Sequence, residues 1–290
     1  MNEPVIPPCE RAPRRRHGFA RARSRHRRLG ETRLLALATG AALSASVLAT
    51  SPRAKAFDPF EIQVYDGTLD AVGEPGLELH VNDVAKGQTT SEPPEIPTNH
   101  VAHATLEPSI GVTRSLELGG YLQTALRPGG PFEFAGAKLR AKLVTPQGWD
   151  SHLRFGANVE LSVIPEAYEA DVWGGELRPI AAWEDDGWLA AANPILSFGL
   201  RGQSLRAGPV LEPAVAIYRK VRDLYSFGVE YYGSLGPVAS PKPVREQLHY
   251  LFMAWNLYVF EKWEVNVGVG GGLTAASDGM ILKMILGRTF

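Results

Sequence analysis

The sequence has almost no cysteine: Cys9 is the one cysteine among its 290 residues. Beyond Cys9 the chain has no thiol, which excludes disulfides, cysteine nucleophiles and thiolate metal sites from that part. Histidines number seven, and His100, His103, His152 and His249 have no serine partner at a recognisable spacing. Asp58 and the Asp185–Asp186 pair are interpreted as solvated charges. We therefore expect no catalytic residue, no metal site and no cofactor.

A long apolar run is also missing, since a membrane-spanning helix needs about 20 residues. The uncharged stretch Leu34–Ala49 has only 16 residues, follows an arginine-rich segment and precedes the Ala-x-Ala sequence at Ala54–Ala56. This order is typical of a secretory signal peptide. We predict a signal peptide over residues 1–56, cleaved near Ala56, with a twin-arginine signal as the alternative export route.

Basic charge is scarce outside this leader. Residues 1–56 hold 12 Lys and Arg against 3 Asp and Glu, whereas residues 57–290 hold 18 against 28. The basic residues therefore belong to the export signal, and we expect no nucleic-acid partner.

Helical periodicity is scarce beyond residue 56, and apolar and polar residues alternate with a period of two. In residues 153–163, Leu153 and Val159 fall on one face, and Arg154 and Glu160 on the other. Such strands, separated by turn-forming residues, indicate an antiparallel all-β fold. Uncharged apolar faces favour a transmembrane barrel with a polar lumen, with a soluble β-sandwich as the alternative. The pattern recurs in residues 116–127, 137–143 and 265–270.

We predict an all-β fold: a single antiparallel transmembrane β-barrel of about 12 strands over residues 76–290. Residues 57–75 precede it as a periplasmic arm, a lumen plug or an extra strand. Most connections alternate between long and short. This alternation places the short turns, the start of the first strand and the end of the last strand in the periplasm of a Gram-negative bacterium. The predicted strands are 76–84, 100–112, 116–127, 133–145, 151–163, 174–184, 188–200, 208–220, 223–233, 245–258, 263–273 and 279–290.

Aromatic residues cluster near the predicted turns, as in the interfacial girdles of membrane proteins; capping of strand ends in a soluble protein is the alternative. The final strand alternates apolar residues back from Phe290, which is typical of the segment that barrel-assembly machinery recognises. The other expected partners are outer-membrane lipid and a small solute. The aromatic residues predicted for the side of the short turns are Trp149, Trp183, Trp188, Tyr225, Phe260 and Trp263, and those predicted for the side of the long loops are Tyr168 and Trp173.

Two short motifs carry a family resemblance. Leu106–Gly111 reads LEPSIG and Ser115–Gly119 reads SLELG, with echoes at Leu211–Pro213 and Gly228–Gly233. Here the chain resembles bacterial outer-membrane transporters associated by name with the meta-pathway of phenol degradation. The resemblance implies a barrel and a transport-like role, and it carries over no substrate and no catalytic residue.

Charged residues of both signs face inward in this prediction. They form either a selectivity constriction of a small-solute channel or a salt-bridged plug that only stabilises the barrel. The predicted lumen residues are Glu107, Glu117, Lys138, Arg140, Lys142, Arg154, Glu160, Glu176, Arg178, Glu212 and Glu230, with Glu78, His80 and Lys283 on the same face.

Four prolines, Pro108, Pro179, Pro194 and Pro213, fall on the lipid side of predicted strands. We interpret them as β-bulges that help the wall curve; a lateral exit for an apolar solute is the alternative. A continuous ladder through Pro108 and Pro213 would contradict that exit. The sequence as a whole predicts a porin-like, passive outer-membrane channel or transporter for small solutes, apolar ones included. A structural or adhesive barrel and a lipid-modifying barrel enzyme are the alternatives.

Overall fold

The computed structural model describes residues 57–290, except 147–148, 151, 170, 222–223 and 259–261. Of residues 202–204 it describes the backbone only. The predicted signal peptide and Phe260 lie outside the described residues. No helix in the described part of the chain is long and apolar enough to cross a bilayer.

Twelve antiparallel strands form a closed barrel, in which each strand pairs with its sequence neighbours and β1 pairs with β12. This confirms the all-β prediction and its strand count. A six-residue helix, α1 (Gly202–Ala207), and a 3-10 turn at Val244–Glu246 lie in connections. The strands are β1 (Pro75–Lys86), β2 (Ala102–Gly111), β3 (Leu116–Leu126), β4 (Phe132–Val144), β5 (Leu153–Val163), β6 (Trp173–Glu184), β7 (Trp188–Gly199), β8 (Val210–Val221), β9 (Tyr225–Ser234), β10 (Leu248–Leu257), β11 (Trp263–Gly272) and β12 (Met280–Thr289).

The two faces of the wall follow the alternation of the sequence. On β4, Leu139 is 72% exposed, whereas its neighbours Lys138 and Arg140 are 3% and 5% exposed. Successive side chains of a strand point to opposite faces, so leucine, valine and phenylalanine cover the outside while charged and amide groups point inward. An apolar outer face of this kind is suited to lipid.

The two ends of the barrel differ. The connections at 112–115, 185–187 and 222–224 are short, and those at 87–101 and 235–247 are long. The connection at 145–152 is an exception, since it is longer than the one at 127–131 on the opposite end. We call the end that carries 112–115, 185–187 and 222–224 the short-turn end, and the end that carries 87–101 and 235–247 the long-loop end.

All five described aromatic residues predicted for the short-turn end, including Trp183, Trp188 and Trp263, are exposed. Arg288 lies over both Trp263 and Phe290, at 5.1 and 4.9 Å from the ring centroids. Tyr168 departs from the girdle prediction, because its ring packs on Phe60 rather than facing outward.

The bulge interpretation of the prolines is wrong at β2–β3 and β6–β7. Pairing of β2 with β3 is interrupted at Glu107 and Pro108, and pairing of β6 with β7 is interrupted opposite Pro179 and Pro194, with no change of register in either case. Proline lacks the N–H that a ladder needs, so it opens a gap without inserting a residue. The described bulges lie elsewhere, and the one on β4 includes Gly136 at φ 142°.

The ladders beside Pro108 and Pro213 are continuous on one side only. Pro108 lies within the β1–β2 pairing and Pro213 within the β7–β8 pairing. Pairing of β8 with β9 begins at Ala214, one residue after Pro213. The lateral-exit hypothesis is therefore not contradicted by these ladders.

Replacing Leu139 by arginine tests the outer face. We expect Leu139→Arg to lower the free energy of unfolding by about 2–4 kcal/mol, the cost of arginine near the bilayer midplane, and Leu139→Ala to cost less. Urea unfolding of protein refolded into lipid vesicles, followed by heat-modifiable gel migration, measures both. Equal stability of the two variants would mean that Leu139 does not face lipid.

Candidate functional site: the charged lumen

Residues 57–72, here called the lumen segment, run inside the barrel. Val72 pairs with Gly111 at the short-turn end. Midway along, Tyr65 exchanges two hydrogen bonds with the Asn193 side chain: its N–H donates to Oδ1 (2.7 Å) and its carbonyl accepts from Nδ2 (3.0 Å). Phe57 packs among residues at the long-loop ends of the strands. The segment therefore extends along most of the lumen.

Two apolar pockets surround Phe57 and Phe60, in the part of the lumen segment nearest the long-loop end. The Phe57 ring lies 4.5 Å from the ring of Tyr250 and 5.5 Å from that of Tyr232, measured between centroids. The Phe60 ring meets His103 edge to face at 4.6 Å. Both phenylalanines are buried, and burial of such a side chain contributes roughly 1.5–3 kcal/mol.

The first group of lumen charges surrounds Lys138. Its Nζ lies 2.7 Å from Asp58, 3.1 Å from Glu160 and 3.5 Å from Glu61. Asp58 and Glu61 belong to the lumen segment, so the prediction that Asp58 is a solvated charge is wrong. Its carboxylate is instead drawn to an ammonium group that burial has removed from water.

Arg178 extends this group toward β6. Its guanidinium contacts Glu176 on its own strand at 2.8 Å and Glu61 of the lumen segment at 2.9 Å. It also stacks on the Tyr65 ring, with Cζ 4.4 Å from the centroid. Wall and segment thus share the same cations.

The second group surrounds Arg140. Its Nε donates to Glu107 and its Nη1 to Glu117, each at 2.7 Å. Lys142 lies 2.9 Å from Glu117, and the two residues are directly opposite in the β3–β4 register. The backbone N–H of Asp70 also donates to Glu117 at 2.6 Å.

The LEPSIG and SLELG motifs therefore have a structural explanation. Glu107 and Glu117 are their two glutamates, and both bind Arg140. Ser109 donates to the Asp70 carboxylate at 2.5 Å, and Gly111 lies so close to the Asp70 carbonyl that a Cβ would be 2.3 Å from it. The motifs build the wall where the lumen segment enters.

The remaining predicted lumen residues form smaller groups. Lys283 pairs with Glu230 at 2.5 Å and donates to the Ile62 carbonyl at 3.1 Å. Glu212 accepts hydrogen bonds from the hydroxyls of Ser197 and Ser234.

Arg154 lies nearer the short-turn end, 2.7 Å from Glu184 and 3.4 Å from Asp66. Asp185, in contrast, lies in a tight turn, where the backbone N–H groups of Gly187 and Trp188 donate to it and lower the pKa of its carboxyl.

Apart from Glu212, which binds Ser197 and Ser234 on the wall, the predicted lumen residues thus contact one another or the lumen segment. The sequence did not predict that Asp58, Glu61, Tyr65 and Asp70 of the lumen segment bind these wall residues. The only signal was the mixture of carboxylates and aromatics in residues 57–75, which does not by itself tell where a segment lies.

A cavity of 620 Å³ opens toward the short-turn end. Wall residues Glu107, Glu117 and Lys142 line it together with Tyr65 and Asp70 of the lumen segment. The lumen is therefore accessible from this end as far as Tyr65 of the lumen segment, whose hydroxyl is hydrogen-bonded to that of Tyr121 at 2.6 Å.

No protein-family model matches the chain, and no curated protein matches its sequence. Among solved structures, an outer membrane channel from Pseudomonas putida F1 is similar with a TM-score of 0.56 and 13% identity, over 79% of this chain and 100% of that one. The KdgM porin has a TM-score of 0.50 and 11% identity, over 74% of this chain and 99% of that one. At these identities the likeness shows the fold, which is that of an outer-membrane β-barrel. It does not confirm the phenol meta-pathway name.

Replacing Lys138 tests the buried charge group. We expect Lys138→Met to lower the free energy of unfolding by about 3–5 kcal/mol, because three carboxylates then share a buried site without their ammonium partner. Lys220→Met, which removes a partly exposed cation from Glu184, should cost less than about 1 kcal/mol. Urea unfolding of the refolded barrel compares them. Equal losses of unfolding free energy would show that the Lys138 group is as well solvated as the Lys220–Glu184 pair.

Proposed function

We propose that this protein is a passive outer-membrane channel for small solutes, and that the conformation described here is closed by the lumen segment. The observation that carries the proposal is the segment's position inside a barrel whose wall bears paired charges of both signs. The outer-membrane fold and the apolar outer face support residence in the outer membrane.

The wall charges pair with each other as well as with the segment, which favours a removable plug over a permanent one. Lys138 has Glu160, Arg178 has Glu176 and Arg140 has Glu107, all on the barrel strands. Withdrawal of the segment would therefore leave these wall cations with carboxylate partners, avoiding the cost of an unpaired charge. In this proposal, what holds the plug is largely the burial of Phe57 and Phe60.

The predicted lumen residues then line the path of the solute. Rings of charged side chains are a common basis of selectivity in channels. The Lys138 and Arg140 groups contact the lumen segment in the closed barrel, so in this proposal they border the path that withdrawal of the segment opens.

Conductance in planar bilayers tests the closed state. Phe57→Ala with Phe60→Ala removes two buried rings, weakening closure by about 3 kcal/mol or more. Because about 1.4 kcal/mol is tenfold in an equilibrium, we expect the ratio of open to closed barrels to rise about a hundredfold or more. Phe132→Ala with Phe134→Ala is the matched control, since both of these rings are exposed on β4.

The control should conduct as the unmodified protein does. Folded protein in which neither pair of substitutions produces conductance, together with no solute uptake in cells, would contradict the channel and favour a structural or adhesive barrel.

A finer proposal is that apolar solutes leave sideways between β6 and β7. The backbone pairing is missing from Arg178–Ile180 opposite Asn193–Ile195. Pro179 and Pro194 face outward across this gap, and Pro194 is itself paired with Pro213 on β8. The outward-facing prolines at this gap carry the proposal. Kinship with the phenol meta-pathway family is proposed on the LEPSIG and SLELG motifs alone and assigns no solute.

Restoring the missing N–H groups tests the lateral exit. Pro179→Val with Pro194→Val should let the ladder close, lowering uptake of an aromatic hydrocarbon by outer-membrane vesicles severalfold while ionic conductance stays the same. Pro108→Val, at the β2–β3 gap, is the control and should not change uptake. Equal uptake by all three proteins would rule out an exit at β6–β7.

A lipid-modifying enzyme has less support. The ring nitrogens of His249 meet the Tyr231 hydroxyl and the Gln247 amide, and His152 Nδ1 meets the Glu184 carbonyl. These partners are not serine hydroxyls, which a serine–histidine hydrolase needs as nucleophiles.

A further inference from the structure

Three metal-ligating side chains converge on the inner wall near the cavity. Glu78 and His80 are on β1, and Glu107 is directly opposite Glu78 on β2. His80 Nε2 lies 3.0 Å from Glu107 Oε2 and 3.3 Å from Glu78 Oε2. All three side chains point to the lumen, so one nitrogen and two carboxylate oxygens meet at a single point.

The spacing of these atoms fits a first coordination shell. The three donor atoms lie within 4.8 Å of one another. Zinc binds histidine nitrogen and carboxylate oxygen at about 2.0–2.2 Å in a tetrahedral arrangement, and two such ligands are then about 3.3–3.6 Å apart. The two separations from His80 Nε2, 3.0 and 3.3 Å, are close to this, so an ion between the three atoms needs only small shifts of these side chains.

Hydrogen bonding does not satisfy this group by itself. Two carboxylates approach the same nitrogen, which carries at most one proton. Glu78 Oε2 is buried and makes no hydrogen bond among the described residues, although it lies 3.3 Å from His80 Nε2. Unsatisfied buried polar atoms are costly. A cation at this point would use Nε2 and Glu78 Oε2 together.

The surroundings supply orientation and access. Arg140 donates to Glu107 Oε1 at 2.7 Å, leaving Oε2 to face His80, as outer partners do at metal sites. Glu78 and Glu107 line the 620 Å³ cavity, from which an ion and a fourth ligand such as water can enter. A mixed imidazole and carboxylate set suits zinc better than magnesium or calcium, which prefer oxygen alone.

We propose that Glu78, His80 and Glu107 form a three-ligand site for a zinc-like divalent cation, open to the short-turn cavity. The sequence predicts no metal site, whereas the closed wall brings Glu78 and Glu107 to directly opposite positions on β1 and β2. The proposal rests on the wall geometry and is independent of whether the barrel conducts.

Direct metal binding tests the site. The full barrel is prepared without a polyhistidine tag, freed of metal and equilibrated with Zn²⁺ by dialysis, and bound zinc is measured by elemental analysis. We expect one ion per chain, with Co²⁺ at the same site giving visible ligand-field absorption. His80→Gln and Glu78→Gln should each weaken binding at least tenfold and abolish the cobalt bands.

His103→Gln is the matched control, because His103 is also buried in the lumen but packs on Phe60; it should bind zinc as the unmodified protein does. Heat-modifiable migration checks that each variant is folded. Absence of zinc binding by the folded protein would overturn the proposal in favour of a proton-bridged His80, and equal binding by His80→Gln would assign the ion to another site. Conductance recorded without metal keeps this outcome separate from the channel proposal.

Discussion

The structure depends on closure of the hydrogen-bond ladder between its first and last strands. Lipid offers no partners for backbone N–H and C=O groups, so a sheet within it must have no open edge. Here β1 pairs with β12 from Gly76 opposite Thr289 to Asp83 opposite Leu282, and every other strand pairs with its neighbours in sequence. Once the wall is closed, the period of two fixes which residues face lipid and which face inward.

The inward face then creates a second requirement. Lys138, Arg140 and Arg178 are nearly inaccessible to solvent, and a charge removed from water needs a partner. Carboxylates of the barrel strands supply most of these partners, and the lumen segment adds Asp58 and Glu61. The interior therefore combines a balanced wall with an inserted segment, and the segment's aromatic anchors determine whether the path is closed.

Sequence alone could predict the wall, because alternation in a strand is a local property. Leu139 beside Lys138 and Arg140 is enough to assign faces on β4. It could not predict which charges meet across the lumen: Glu107 and Glu117 both reach Arg140 on β4, and this depends on the curvature of the closed sheet. The selectivity role of these residues stays a prediction.

The same limit explains the errors. Asp58 and Tyr168 look like solvent-exposed or interfacial residues in the sequence, and their true surroundings are set by a segment folded into the barrel. The prolines resemble bulge residues, because a proline within a strand pattern is expected both where a residue is inserted and where only a backbone N–H is missing. Only the pairing on both sides distinguishes an interruption at Pro179 from a bulge.

The most direct test of this account is the accessibility of Ile62, which is fully buried in the lumen segment. In folded protein with Cys9→Ser, a cysteine introduced by Ile62→Cys should react with a bulky maleimide far more slowly than one introduced by Leu205→Cys, an exposed position on α1. Both should react equally after unfolding. Equal rates in the folded barrel would mean that the segment does not occupy the lumen, and the account would be wrong.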